Sequence, residues 1–337
     1  MVTIGIIGAG RIGKVHAESI SNYVRNARIK TVADPFMNDS TAQWLEGLGV
    51  QNTTKDYKEI LNDPEIEAVL ICSSTDTHSP ISLEAIAAGK HVFCEKPIDH
   101  DLSKIKQVVD ALKGTNLKYQ VGFNRRHDHN FAAVKQAILD GKVGDVHIIK
   151  ITSRDPAPPS PAYIAVSGGM FLDMTIHDFD MVRFLAGCDA EEIYVQSAVL
   201  VDPAIGEAGD VDTAVITLKM ENGAIAVIDN SRQAVYGYDQ RAEVFGSKGM
   251  AATANDTLSS MVLSNAEGVT GEKPLYFFLE RYMQSFATEI KGFIHAIEND
   301  TDTPVGVEDG FNPVQMGLAA KKSVEEHRPV KLSEIEY

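Results

Sequence analysis

The run Gly8-Ala9-Gly10-Arg11-Ile12-Gly13 directly follows an apolar segment, residues 3–7, and opens a helix-length amphipathic stretch. A glycine pattern in that setting prescribes a strand, a tight turn and a closely packed helix. Gly8 permits the turn, Gly10 lets the backbone approach a pyrophosphate, and Gly13 lets helix and strand touch. The helix N-terminal amides then face an anion. Alone, the pattern also fits a glycine-rich turn with no ligand. Asp34 closes the second apolar run, 21 residues beyond Gly13, where a carboxylate can accept hydrogen bonds from ribose hydroxyls and repel a 2′-phosphate. A dinucleotide site favouring NAD over NADP is expected. The competing reading of Asp34 is a turn or cap residue before Pro35.

The same grammar runs through the first third of the chain. Residues 3–7, 30–33, 68–72, 92–94 and 119–123 are short, continuous apolar runs separated by helix-length stretches. Strands buried on both faces look like this, so a parallel, doubly wound sheet is predicted, with ligands beyond the carboxyl ends of its strands. After about Phe123 the pattern changes. A helix over 130–139 and a strand over 146–153 precede a Pro-rich loop, 155–161, from which helix is excluded. One helix is expected from about 169 to 185.

Strands follow without intervening helices. Residues 213–220 and 224–229 flank Asn222-Gly223, which suits a hairpin turn because both residues tolerate positive φ, and another strand pair surrounds 246–249. Helices near 279–297 and 308–326 close the chain. The fold class is α/β: a Rossmann domain over 1–123, then an α+β domain over 124–337 with an open, mostly antiparallel sheet and helices on one face. An uncovered face and edge predict self-association.

Composition removes several alternatives. With 31 Lys and Arg against 47 Asp and Glu, the net charge of −16 repels phosphate backbones, so no nucleic-acid partner is expected. No apolar run approaches the roughly 20 residues of a membrane span, and the N-terminus enters a strand without a basic leader, so a cytoplasmic protein is expected. Cys72, Cys94 and Cys188 are odd in number, widely spaced and embedded in apolar segments, which reads as reduced core thiols.

Three segments carry candidate chemistry. Glu95-Lys96-Pro97 lies just past the strand over 92–94, where Lys96 can hold a substrate oxygen or nicotinamide amide, or be a solvated loop charge. Asp173 and His177 are four apart, so on one helix they share a face, and the carboxylate can orient an imidazole base; such pairs also decorate helix surfaces. Asp178 and Asp180 fall on other faces and read as solvated charges. Arg125 and Arg126 after the strand over 119–123, and Arg154 with Asp155 after a later one, suit a polyhydroxylated ligand or structural ion pairs equally well. His127-Asp128-His129 lacks helical spacing and a second ligand group, so no metal is assigned.

Together, the glycine fingerprint, Glu95-Lys96-Pro97 and the helix carrying Asp173 and His177 resemble the glucose-fructose oxidoreductase, inositol dehydrogenase and MocA family over essentially the whole chain. The resemblance implies catalysis by Lys96, Asp173 and His177, a cis Lys96-Pro97 bond, and a dimer or homotetramer built through the open sheet. It implies a cofactor site of Gly8, Gly10, Arg11, Ile12, Gly13, Asp34, Ser73, His78, Glu95 and Lys96. The segments 122–126, 153–158 and 236–240 are most similar to the inositol-oxidising members, which implies an inositol substrate, inositol catabolism, and substrate contacts from Arg125, Asp155, Tyr236 and Tyr238. Some of those members have Asp-Thr where this chain has Asp173-Met174 and Asn at Asp155, so the preferred hydroxyl can differ. Within the family the rival substrates are scyllo-inositol and aldoses; outside it, the rival reading is a non-catalytic NAD-binding regulator.

Overall fold

The computed structural model describes residues 1–336 in two compact units. The first holds residues 1–127 and 283–314; the second holds 128–282 and 315–336. The chain therefore differs from a simple division at residue 123: the segment 283–314 returns to the first unit, because its apolar face completes the first unit's core. Ile290, Phe293 and Ile294 are buried with Ile4, Ile6, Ala17, Ile20 and Phe93.

In the first unit, β1 (Val2–Ile7), α1 (Arg11–Tyr23), β2 (Ala27–Ala33), α2 (Asp39–Gly47), β3 (Asn52–Thr54), α3 (Lys58–Asn62) and β4 (Ala68–Ile71) lead to α4 (Thr75–Ala87), β5 (His91–Glu95), α5 (Leu102–Leu112) and β6 (Tyr119–Gly122). All six strands are parallel, in the order β3-β2-β1-β4-β5-β6. Strand order reverses between β1 and β4, which makes the loops after these two strands the natural ligand crevice. Every residue of β1 and of β4 is buried, as strands covered on both faces must be. Only the short edge strand β3, exposed and polar, has no apolar signal to announce it.

The second unit contains α6 (His129–Leu139), β7 (Val146–Arg154), α7 (Pro161–Ser167), α8 (Gly169–Asp173), α9 (Ile176–Ala186), β8 (Ala190–Ala198), α10 (Pro203–Glu207), β9 (Thr213–Met220) and β10 (Ile225–Ser231). They are followed by β11 (Asp239–Gly246), β12 (Gly249–Ala252), the exposed hairpin β13 (Val262–Asn265) and β14 (Gly268–Gly271), and α11 (Phe278–Arg281). In chain order, α12 (Met283–Asn299), which belongs to the first unit, and α13 (Val307–Glu326), whose residues from 315 on belong to the second, then precede β15 (Val330–Lys331). Seven strands form one sheet, β12-β11-β7-β10-β9-β8-β15, antiparallel except for the β7–β10 pair. In β9 the residues alternate strictly: Ala214, Ile216, Leu218 and Met220 are buried while Val215, Thr217 and Lys219 are exposed. The hairpin turn at Asn222-Gly223 forms as expected, with Gly223 at φ 87°.

The stretch expected as one helix over 169–185 is two, α8 and α9, and a further helix, α7, precedes it. Pro161 starts α7 at its first turn, where a missing amide costs nothing, and Ser160 caps it, so helix begins inside the loop that was expected to exclude it. Gly168 and Gly169 then take positive φ and separate α7 from α8. A second break falls at Met174-Thr175, between Asp173 and His177. Asp178 and Asp180, expected in solvent, are buried. Asp178 Oδ2 accepts a hydrogen bond from Asn230 Nδ2 at 2.9 Å, which supplies what water would have.

Candidate active site

The glycine loop has the form its sequence demands. Gly8 sits at φ +100°, and a Cβ there would lie 2.7 Å from the backbone of Cys72 and Ser73 at the end of β4. At Gly13 a Cβ would lie 1.9 Å from the Gly8 carbonyl oxygen, so helix and turn are in contact there. Gly10, which caps α1, has nothing within 4 Å of such a Cβ. That cradle is open at the one glycine where a pyrophosphate needs room, and its helix N-terminus has no acidic residue in the first turn. Asp34 Oδ2 accepts the Ala9 amide at 2.7 Å, and Oδ1 accepts the Phe36 amide at 2.8 Å. Both readings of Asp34 therefore have a basis: it is a turn residue, and a partly exposed carboxylate held beside the cradle. These residues fit a dinucleotide.

Behind the loop lies a buried polar cluster. His16 on α1 donates from Nε2 to Glu95 Oε1 at 2.6 Å, and the Glu95 carboxylate packs so closely on Gly122 that a Cβ there would be 2.9 Å away. Glu289 on α12 joins them; burial, followed by the charge of Glu95, pushes its pKa well up from the ordinary carboxylate range. Lys96 follows Glu95 and its bond to Pro97 is cis. His78, assigned to the cofactor from resemblance, is buried against its own chain: Nδ1 donates to Pro97 O at 2.8 Å and Nε2 to Ser73 O at 3.0 Å. Burial works against its protonation, but Cys94 and the two carbonyls outweigh it and raise its pKa to about 9. Ser73 Oγ lies 2.6 Å from Thr77 Oγ1. Arg125 is buried in the 3₁₀ turn Asn124–His127, and Arg126 is a structural pair, donating to Asp309 at 2.8 Å.

In the second unit, the helix break decides how Asp173 and His177 are held. Thr175, fully buried in the break, donates to Asn230 Oδ1 at 2.6 Å, and Asn230 Nδ2 reaches Ser153 O at 3.3 Å. The junction is thus pinned to the ends of β7 and β10, and the simple i, i+4 geometry of one continuous helix is replaced by two helix ends. Asp173 Oδ1 accepts from the Tyr163 hydroxyl at 2.9 Å, and Oδ2 lies 3.6 Å from Arg232 Nη2. Arg232 Nη1 in turn donates to Asp155 Oδ2 at 3.3 Å. Tyr163 and Arg232 carry no motif in the sequence; the only local signal is that Arg232 directly follows β10. Arg154 pairs with Asp229 at 2.6 Å and donates to Tyr236 Oη at 3.2 Å. Tyr236 itself donates to Asp239 at 2.5 Å, while Tyr238 is buried edge-on against Tyr282.

The sequence His127-Asp128-His129 does acquire a second acidic group, contrary to expectation. Asp256 lies 3.5 Å from His129 Nε2. Arg281, however, contacts both Asp128, at 3.2 Å, and Asp256, so the positive charge these carboxylates need is already covalently supplied.

Residues 2–123 match the family model for an oxidoreductase family with an NAD-binding Rossmann fold, and 131–252 match the GFO/IDH/MocA C-terminal domain. The chain is 48% identical to myo-inositol 2-dehydrogenase of Thermotoga maritima, over 98% of this chain and 99% of that one. It is 44% identical to inositol 2-dehydrogenase of Rhizobium meliloti, over 98% and 99%. The crystal structure of scyllo-inositol dehydrogenase from Lactobacillus casei with bound NAD(H) and scyllo-inositol superposes with a TM-score of 0.90 at 31% identity, covering 99% of each chain. The chain accordingly belongs to the GFO/IDH/MocA family of NAD-binding oxidoreductases.

Proposed function

We infer that this chain is an NAD-dependent inositol 2-dehydrogenase that oxidises one ring hydroxyl of myo-inositol to give 2-keto-myo-inositol. The observation that carries this reading is end-to-end similarity to a myo-inositol 2-dehydrogenase at 48% identity, together with a glycine cradle and Asp34 suited to NAD. NAD, when bound, accepts the hydride. Gly8, Gly10, Arg11, Ile12, Gly13 and Asp34 would hold its diphosphate and adenosine ribose, with Ser73, Glu95 and Lys96 completing the set and His78 acting through Ser73 and Pro97. His177 removes the hydroxyl proton, while Lys96 and Asp173 orient and polarise that hydroxyl. Arg125, Asp155, Tyr236 and Tyr238 are assigned to the remaining ring hydroxyls. Oxidation of scyllo-inositol yields the same ketone from the opposite epimer; the myo form is favoured because the relatives at 48% and 44% identity bear that or the general inositol name.

The same reading includes a cytoplasmic homotetramer serving inositol catabolism. Its support is physical: Cys72, Cys94 and Cys188 are free thiols, as in a reducing compartment. The open sheet also exposes Ile148, Val215, Ile225 and Phe245, a surface suited to a second copy. The test is NADH formation from myo-inositol, scyllo-inositol, D-glucose and D-xylose, with NAD or NADP. Turnover of myo-inositol with NAD supports the assignment. Turnover of a sugar alone would discard the substrate, and silence with every polyol would favour a non-catalytic NAD-binding protein.

A further inference from the structure

β7 and β10 run parallel with Arg154 opposite Ser231, so the residues that follow them, Asp155 and Arg232, leave the sheet side by side. Both backbones are fixed there. The Asp155 amide donates to Ser231 O at 2.9 Å, the Ala234 amide donates to Asp155 O at 2.6 Å, and the Arg232 amide donates to Asp212 O at 2.8 Å. The Arg232 side chain is 3% exposed, and its two terminal nitrogens are divided between two carboxylates: Nη1 to Asp155 at 3.3 Å, Nη2 to Asp173 at 3.6 Å.

We propose that Arg232 is the positioning residue of this site, bridging Asp155 and Asp173 so that two like charges can stand together and Asp173 keeps the orientation its reaction needs. The planar guanidinium suits this role because it presents separate donors in a rigid fork, whereas an ammonium offers a single point of charge. Burial of the cation strengthens both contacts and makes each carboxylate necessary to it. Tyr163, donating to the other oxygen of Asp173, fixes the second degree of freedom of that carboxylate. Asp155 thereby acquires a task besides any contact with substrate: it anchors the guanidinium that holds Asp173. The proposal rests on Asp173 acting in the reaction.

The experiment compares Arg232→Gln, Arg232→Lys, the double variant Asp155→Asn with Arg232→Gln, and Asp173→Asn. Each is measured for kcat and KM with myo-inositol, for NADH affinity by fluorescence, and for melting temperature. Arg232→Gln should lower kcat at least about tenfold, the scale of one lost contact to a charged group, with NADH affinity within about threefold of the parent. Arg232→Lys should recover little of the loss. Adding Asp155→Asn to Arg232→Gln should restore part of kcat, because one of the two repelling charges is gone; a purely structural arginine offers no such rescue. The proposal is overturned if Arg232→Gln keeps the parent kcat while Asp173→Asn does not, or if the double variant is no faster than Arg232→Gln. Near-parent kcat in Asp173→Asn would instead overturn the role of Asp173. Should Arg232→Gln fail to fold, Arg232→Lys carries the test, and a parent kcat in that variant overturns the fork.

Discussion

One carboxylate ties the end of the second strand to the glycine loop after the first: Asp34 Oδ2 accepts the Ala9 amide at 2.7 Å while Oδ1 accepts that of Phe36. Asp34 therefore both shapes the loop and supplies negative charge beside it. Asp34→Asn keeps an oxygen for Ala9 but removes the charge; Asp34→Ala removes both. We expect the ratio of kcat/KM for NAD over NADP to fall in both variants. KM for NAD should rise roughly tenfold in Asp34→Ala, as for one or two lost hydrogen bonds to a charged group. An unchanged cofactor ratio in both would sink the selectivity role.

Two glycines of the same loop separate folding from binding. A methyl at Gly13 would stand 1.9 Å from the Gly8 carbonyl oxygen, whereas one at Gly10 meets nothing within 4 Å. Gly13→Ala should lower the melting temperature. Gly10→Ala should leave it unchanged yet weaken NADH binding, since a methyl there would fill the opening proposed for the diphosphate. Thermal denaturation and NADH fluorescence titration on both variants test this; parent NADH affinity in Gly10→Ala would remove the cradle from the diphosphate site.

For His177, the proposed base, replacement by Ala should cut kcat by about 10² to 10⁴ while NADH affinity stays near the parent value. Single-turnover and steady-state rates with myo-inositol supply the measurement. A variant retaining more than about a tenth of the parent kcat would exclude general-base catalysis by this side chain.

His78 makes a stability prediction with a definite sign. Its two ring nitrogens both donate to carbonyls, and its pKa rises from the ordinary 6.5 to about 9. A raised pKa in the folded state means stabilisation that is complete below pH 6.5 and is lost as pH climbs through 9. The contribution is on the order of 3 kcal/mol, from the rise of about 2.5 in pKa at 1.36 kcal/mol for each. Denaturant unfolding at pH 6.5 and 9 should show the parent losing more stability over that interval than His78→Asn. Parallel pH profiles for the two proteins would show that the imidazole is not charged.

Much of the first unit was legible in the chain because its signals are local. A buried parallel strand is a short apolar run, and the Gly8–Gly13 context needs only adjacent residues to be recognised. The cis bond at Lys96-Pro97 and the family's motifs were legible by resemblance for the same reason. The breaks at 168–169 and 174–175 were not: one helix was expected from about 169 to 185, Gly168 and Gly169 take positive φ, and the Thr175 hydroxyl in the second break donates to Asn230, 55 residues away. Asp178 looked solvated until the same Asn230 appeared beside it. Arg232 joins Asp155 and Asp173 only because β7 and β10 pair in parallel with one particular register, a long-range relation that no window of sequence contains. Periodicity and turn chemistry report where a backbone goes locally; which charges face each other is decided by strand pairing and burial, after the chain has folded.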